Sequence, residues 1–104
     1  MNKKDLQDRL KKYAIEIVKF SEGLPDKSGL RTVKNQIVRC APSAAANYRA
    51  ACRAKSTADY INKMGIVEEE LDETMFWLEF TVGLYEGYRL QVKPLWKEGD
   101  ELLS

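Results

Sequence analysis

Three carboxylates, Glu69, Asp72 and Glu73, lie within one short stretch and are the side chains of this sequence best suited to chemistry. On one helix, carboxylates at this spacing can bind a hard cation or act as acid and base. Arg39 is expected to lie opposite them and neutralise them, and no second set of carboxylates on another helix completes a metal cage. We therefore predict a structural role for the three, with a hydrolase or nuclease site as the minor alternative.

The rest of the composition offers little for catalysis. The chain has no histidine and two cysteines, so zinc sites, histidine general bases and Glu-x-x-His di-iron sites lack their ligands. Cys40 and Cys52 lie twelve residues apart on one predicted helix, about 18 Å along its axis, whereas a disulfide needs Cα atoms within about 7 Å. We predict a protein that is not an enzyme, with no cofactor, no metal and no small-molecule substrate.

A polar stripe runs through an alanine-rich segment that precedes the carboxylates. Its side chains recur at steps of three, four and four residues, which places them on one helix face. Seven alanines between residues 36 and 56 leave so little bulk that a neighbouring helix can approach closely. The stripe consists of Gln36, Arg39, Ser43 and Asn47.

The partner of this stripe follows from the turn expected near residues 55–57. In an antiparallel hairpin around that turn, Arg39 lies opposite Glu73, and Asn47 lies near Gly65, where a missing side chain allows close contact. We predict a partly buried network that specifies the fold. Its members are Gln36, Arg39, Ser43, Asn47, Glu69, Asp72 and Glu73.

Apolar residues recur at helical spacing in four segments, and no stretch has the alternation of a strand. The predicted helices run from about Lys3 to Glu22, Ser28 to Ala54, Ser56 to Tyr85 and Gln91 to Leu103. Pro42 lies inside the second and predicts a kink rather than a break. These segments predict an all-α protein whose fourth helix is short.

The third predicted helix is apolar on two faces, so it must be covered on two sides. The fourth helix is about half as long as its partners and is weakened by Gly99, which favours self-association as the source of cover. We predict an oligomer interface that consists of Trp77, Phe80, Leu84, Tyr88 and Trp96.

Charge is divided unevenly along the chain. Residues 1–55 carry thirteen Lys and Arg against five Asp and Glu, and residues 56–104 carry four against eleven, giving balances of +8 and −7. This asymmetry is typical of two halves that fold against one another, but it also suits a basic face for nucleic acid. The candidate nucleic-acid-binding residues are Arg31, Lys34, Arg49, Arg53 and Lys55.

Size and hydropathy set the remaining limits. At 104 residues and 11.9 kDa we expect a single domain over residues 1–104. No apolar run is long enough to span a membrane, and the charged N-terminus does not match a secretory signal. We expect a cytoplasmic protein without a membrane partner.

An ordered set of motifs carries a resemblance to a known family. The set reads Leu24-Pro25, Gln36-Ile37-x-Arg39, Ser43, Asn47, Lys55-Ser56, Tyr60, Lys63, Glu69-x-x-Asp72-Glu73 and Phe76-Trp77-Leu78-Glu79. In this order and spacing it resembles the four helix bundle proteins related to those encoded within intervening sequences of bacterial 23S ribosomal RNA genes. The resemblance covers about residues 10–88.

The resemblance implies an antiparallel up-and-down four-helix bundle that assembles into a ring, commonly a pentamer, with no established catalytic residues. A related group, the accessory proteins of diversity-generating retroelements, is similar in fold and binds nucleic acid and a reverse transcriptase through a basic surface. This chain departs from many members in having Ala50 and Ala51 in place of Glu-Gly after the asparagine motif, and in its shorter last helix.

Together these observations predict a homo-oligomeric helical bundle that acts as a binding scaffold for RNA or a ribonucleoprotein. The alternative is an accessory subunit that binds another protein and has no nucleic-acid role.

Overall fold

The structure is a computed structural model that describes residues 1–104. It contains four α-helices and no strand, as the sequence predicts. The helices are α1 (Lys3–Glu22), α2 (Ser28–Ala51), α3 (Thr57–Leu84) and α4 (Arg89–Leu103), with a 3₁₀ turn over Glu86–Tyr88 before α4. The observed α2 ends three residues before the predicted Ala54, and α4 begins two residues before the predicted Gln91.

Neighbouring helices along the chain pack against each other and run antiparallel. α2 packs on α1 and α3, while α4 packs on α3 and also contacts α1. The backbones of α1 and α3 do not approach each other closely, so the two helices lie diagonally across the bundle. The molecule measures 44 × 24 × 19 Å, with α3 extending along its length. This confirms the antiparallel four-helix bundle with a short fourth helix.

Side-chain caps explain where two of the helices begin. Asn2 Oδ1 accepts a hydrogen bond from Asp5 N at 2.8 Å, and Ser56 Oγ accepts one from Asp59 N at 3.1 Å. Each satisfies a backbone donor that the first helical turn leaves free. α2 has no such cap, because Ser28 is already helical and Lys27 precedes it.

α2 packs between α1 and α3 and continues unbroken through Pro42. Ala41 and Ala44 are almost fully buried, and their small side chains let neighbouring helices approach. The largest side chains of the core come from α1, α2 and α3 and include Ile17, Leu30, Ile37, Leu71 and Leu78. These contacts stabilise the bundle because they remove the apolar faces of the helices from water.

α4 is held to the bundle by charge as well as by apolar contact. Arg9 Nε donates to one carboxylate oxygen of Glu98 at 2.7 Å and Arg9 Nη2 to the other at 2.6 Å. Arg9 Nη2 also donates to Glu101 at 2.8 Å. These bonds raise the pKa of Arg9 and lower the pKa of Glu98, since each stabilises the charged form.

None of the four helices has both the length and the apolar character needed to cross a lipid bilayer.

Candidate nucleic-acid interface

A groove of about 730 Å³ runs between α1 and α2 and is lined by more cationic than anionic side chains. Its apolar lining comes from Pro42, Ala45 and Ala46 of α2 and from Ala14, Ile15 and Val18 of α1. These α2 positions have little side-chain bulk and differ from the buried Ala41 and Ala44, so a depression is left beside α1. We call this depression the basic groove.

Five cationic side chains line the basic groove against two carboxylates, those of Asp8 and Glu22. Lys4 is paired with Asp8 at 3.0 Å, whereas the other four cations form no ion pair within the chain. Anions near the groove therefore meet cations that are not already neutralised. The five are Lys4, Lys11, Lys19, Arg49 and Arg53.

The structure divides the candidate nucleic-acid-binding residues into two groups. Arg49 and Arg53 lie in the basic groove, and Lys55 is exposed in the turn that follows α2. Arg31 and Lys34 serve the loop between α1 and α2: Arg31 Nε donates to Asp26 at 2.6 Å, and Lys34 Nζ donates to the Leu24 carbonyl at 3.1 Å. Arg49 and Arg53 therefore lie apart from Arg31 and Lys34, as their spacing along the helix predicts.

The α1 lysines of the groove are absent from the candidates that the sequence predicted. Lys4, Lys11 and Lys19 recur at intervals of seven and eight residues, so they share one side of α1. That periodicity was the available signal. Which helix this side adjoins depends on the packing of α1 on α2, and so it required the tertiary structure.

Arg39 reaches across to α3, as predicted. Its guanidinium donates to Glu70 at 2.9 Å and to Glu73, and the hydrogen bond to Glu73 raises the pKa of Arg39. The side chain of Arg39 nevertheless remains 50% exposed. The ion pairs therefore bridge the edge of the α2–α3 contact instead of lying inside it.

The prediction that Glu69 and Asp72 join the network of Arg39 was wrong, because both are exposed and form no bond to Arg39. Successive helical residues are rotated by about 100°, so Glu70 and Glu73, three apart, share the side that faces α2 while their preceding neighbours turn away. The three candidate carboxylates do not converge, and no group of three or more His, Cys, Asp or Glu side chains is placed to hold a metal ion.

The remaining members of the polar stripe do not bond to α3. Asn47 Nδ2 donates to Ser43 O at 2.9 Å and to Ser43 Oγ at 3.2 Å, so both side chains are satisfied within α2. Gln36 is half-buried and forms no side-chain hydrogen bond. The close contact expected at Gly65 is absent, since a Cβ atom there would have no neighbour within 4 Å.

The aromatic residues predicted as an oligomer interface are partly used within the chain. The ring of Tyr88 meets that of Phe20 edge-on at 6.5 Å, and Trp96 Nε1 donates to Glu79 at 2.9 Å. Trp77 is half-buried, and the exposed members of the predicted interface are Phe80 and Leu84. Leu84 also packs on Gly29, where a Cβ would lie 2.9 Å from Leu84 Cδ1.

The solvent side of α3 combines acidic and aromatic side chains. Residues 64–88 contain seven carboxylates and no Lys or Arg. Phe76 and Phe80 are 52% and 38% exposed among them, with ring centroids 6.0 Å apart. The surface that we call the acidic α3 face consists of Ile61, Glu68, Glu69, Asp72, Phe76, Glu79 and Phe80.

These features define a small antiparallel four-helix bundle protein with a basic groove on one side and an acidic face on another. The chain belongs to the 23S rRNA-intervening sequence protein family, whose family model matches residues 3–103. The resemblance seen in the sequence motifs is thereby confirmed.

A solved structure is similar over nearly the whole chain. It is the crystal structure of a protein with unknown function from the S23 ribosomal protein family of Bacteroides thetaiotaomicron. The two share 30% sequence identity and superpose with a TM-score of 0.89, covering 99% of this chain and 92% of that chain. None of the curated proteins compared with the chain matches it.

Proposed function

We propose that this protein is a non-enzymatic, self-associating scaffold that binds RNA through the basic groove. The observation that carries the proposal is the juxtaposition of Arg49 on α2, and Arg53 just after its end, with the lysines of α1 along one concave surface. Four of these five cations have no ion-pair partner in the chain, and such a row attracts a phosphate backbone and releases its counterions on binding. The membership of a family named for intervening sequences of 23S rRNA supports RNA as the polyanion.

The groove also indicates how RNA would be contacted. No aromatic side chain lines it, so bases have no ring on which to stack. Contacts would be to phosphates, which position a nucleic acid but do not read its sequence. The proposed binding is therefore strongly salt-dependent and selects structured RNA by the spacing of its phosphates.

Titration of a structured RNA at two salt concentrations tests this proposal. Reversal of charge in the double variant Arg49→Glu with Arg53→Glu should abolish binding at the lower salt concentration. The matched control is Lys93→Glu with Lys97→Glu, which reverses two exposed cations at the same spacing on α4, outside the groove. Equal loss in both variants, or no binding by the unmodified chain at low salt, would contradict the groove as the binding surface.

Self-association is the second part of the proposal and is supported by the exposed pair Phe76 and Phe80. The family resemblance implies a ring, commonly of five subunits, and we propose a homo-oligomer on these grounds. Sedimentation that shows only a monomer at micromolar concentration would contradict it.

The same exposed aromatic pair favours one alternative, an accessory subunit that binds a different protein and no RNA. Recovery of a stoichiometric protein partner after nuclease treatment, lost in Phe76→Ser with Phe80→Ser, would favour this function over the first.

A further inference from the structure

We propose that the acidic α3 face of one copy docks into the basic groove of a second copy, and that this contact and RNA exclude one another. Only the competition with RNA rests on the proposed function. The inference goes beyond that function because it names both surfaces of the self-association and gives the basic groove two competing ligands.

Charge complementarity is the first support. The acidic α3 face carries the carboxylates of Glu68, Glu69, Asp72 and Glu79 and no cation. The basic groove has a net excess of three positive charges, counted over the five cations and two carboxylates that line it. Glu69 and Asp72 form no ion pair within their own chain, and neither do Arg49 and Arg53. Both surfaces therefore hold charges that a second copy can neutralise.

Apolar complementarity is the second support. Phe76 and Phe80 stand between the carboxylates of α3, just as the apolar floor of the groove lies between its cationic rims. A helix that lays apolar side chains on such a floor removes both surfaces from water, while its flanking carboxylates reach the rims. On the α2 side this floor consists of Pro42, Ala45 and Ala46, whose side chains have little bulk.

The lengths of the two surfaces also agree. From Ile61 to Phe80 the acidic α3 face spans about 28 Å, at about 1.5 Å for each helical residue. The groove runs along α1 from Lys4 to Glu22, which by the same measure is about 27 Å. The helix can thus lie along the whole groove.

The acidic α3 face cannot reach the basic groove of its own chain. α3 lies diagonally across the bundle from α1, so its solvent side and the α1–α2 groove face different directions. The contact must therefore join copies through unlike surfaces, so each added copy presents a further groove and a further acidic face until the assembly closes into a ring. Because Arg49 and Arg53 serve both contacts, a row of carboxylates takes the place that RNA phosphates would occupy.

A charge-swap experiment tests the docking directly. The variants are Arg49→Glu with Arg53→Glu in the groove, and Glu69→Lys with Asp72→Lys on α3. All four residues are exposed, so each variant should keep its helical circular dichroism. Sedimentation should show each variant as a monomer, at concentrations where the unmodified chain associates, and an equimolar mixture of the two should associate again.

The outcomes separate the alternatives. A mixture that stays monomeric, association of either variant alone, or a monomeric unmodified chain would overturn the docking. The control pair Glu16→Lys with Asp100→Lys changes the net charge by the same amount as Glu69→Lys with Asp72→Lys, but at exposed positions outside both surfaces. It should associate as the unmodified chain does.

The competition is tested with the neutral variant Glu69→Gln with Asp72→Asn, which adds no cation. At protein concentrations where the unmodified chain associates, this variant should bind RNA at least tenfold more tightly than the unmodified chain does. Equal affinity, or RNA bound to an assembly of undiminished size, would overturn the exclusion. If none of these proteins binds RNA, both the proposed function and the exclusion fail, while the mixing experiment still decides the docking.

Discussion

Gly99 of α4 lies so close to Tyr13 of α1 that a Cβ atom at position 99 would stand 2.5 Å from the Tyr13 hydroxyl oxygen and 3.2 Å from Met75 Cγ. Gly99 and Tyr13 are both buried. A residue that weakens α4 as an isolated helix therefore permits the close approach by which α4 completes the bundle.

Gly99→Ala should lower the free energy of unfolding by about 1–3 kcal/mol, because the added methyl group overpacks a site closed by a rigid aromatic ring. Chemical denaturation measures this change. The matched control is Gly65→Ala in the middle of α3, where a Cβ meets nothing within 4 Å. That change should instead stabilise the chain by about 0.5–1 kcal/mol through helix propensity. Stabilisation by both substitutions would contradict the close contact.

Tyr13→Phe should stabilise the protein. The Tyr13 hydroxyl is buried without a hydrogen-bond partner, and its burial raises the pKa of that group. Removal of an unsatisfied buried hydroxyl should increase the free energy of unfolding by about 1 kcal/mol. The substitution should also recover part of the stability lost in Gly99→Ala, since it removes the atom nearest to the new methyl group. Independent, additive effects of the two changes would show that the hydroxyl is not what meets position 99.

Arg39→Ala should cost about 1 kcal/mol or less, because half of the Arg39 side chain is in solvent. A fully buried ion pair would instead cost about 3–5 kcal/mol when one partner is removed. A double-mutant cycle with Glu73→Gln isolates the pair, and its coupling should weaken as salt is added. A loss in the larger range, insensitive to salt, would show that the pair is shielded from water.

The bridge between Arg9 and Glu98 should make the docking of α4 sensitive to acid. The pKa of Glu98 in the folded chain is lowered from its ordinary 4.5, chiefly by the hydrogen bond from Arg9. Its contribution is therefore present above that ordinary value and is lost as the pH falls through the lower folded value. Near neutral pH, Glu98→Gln should reduce stability by about 1 kcal/mol, and the difference should vanish in acid.

A pH titration of unfolding, with Glu16→Gln as the control, measures this effect. Glu16 is exposed, has no ion-pair partner and lies outside both proposed docking surfaces, so its variant should show no comparable pH-dependent loss of stability. If the free energies of unfolding of Glu98→Gln and the unmodified chain differ by a constant amount down to strongly acidic pH, the effect does not depend on the ionisation of Glu98.

The two cysteines should differ in reactivity. Cys40 is fully buried with its Sγ 3.1 Å from Thr74 Oγ1, and burial raises the pKa of its thiol. Cys52 is half-exposed at the end of α2. A thiol reagent should therefore modify Cys52 in the folded chain and reach Cys40 only on unfolding. Rapid modification of Cys52→Ser would contradict the burial of Cys40.

The fold was largely predictable because it depends on local patterns. Apolar residues at helical spacing were enough to place four helices, with ends within a few residues of those observed. The tight turn after α2 also predicted that Arg39 faces Glu73, since an antiparallel hairpin pairs residues by their distance from the turn.

Tertiary packing decided which side of each helix faces a neighbouring helix, and therefore which side chains from different helices lie together. It selected Glu70 over Glu69 as the second partner of Arg39 and left that ion pair half in water. It also brought the α1 lysines beside Arg49 and Arg53, residues that are far apart in the sequence. Periodicity determines the faces of a single helix, whereas the surface shared by two helices depends on their relative rotation and separation.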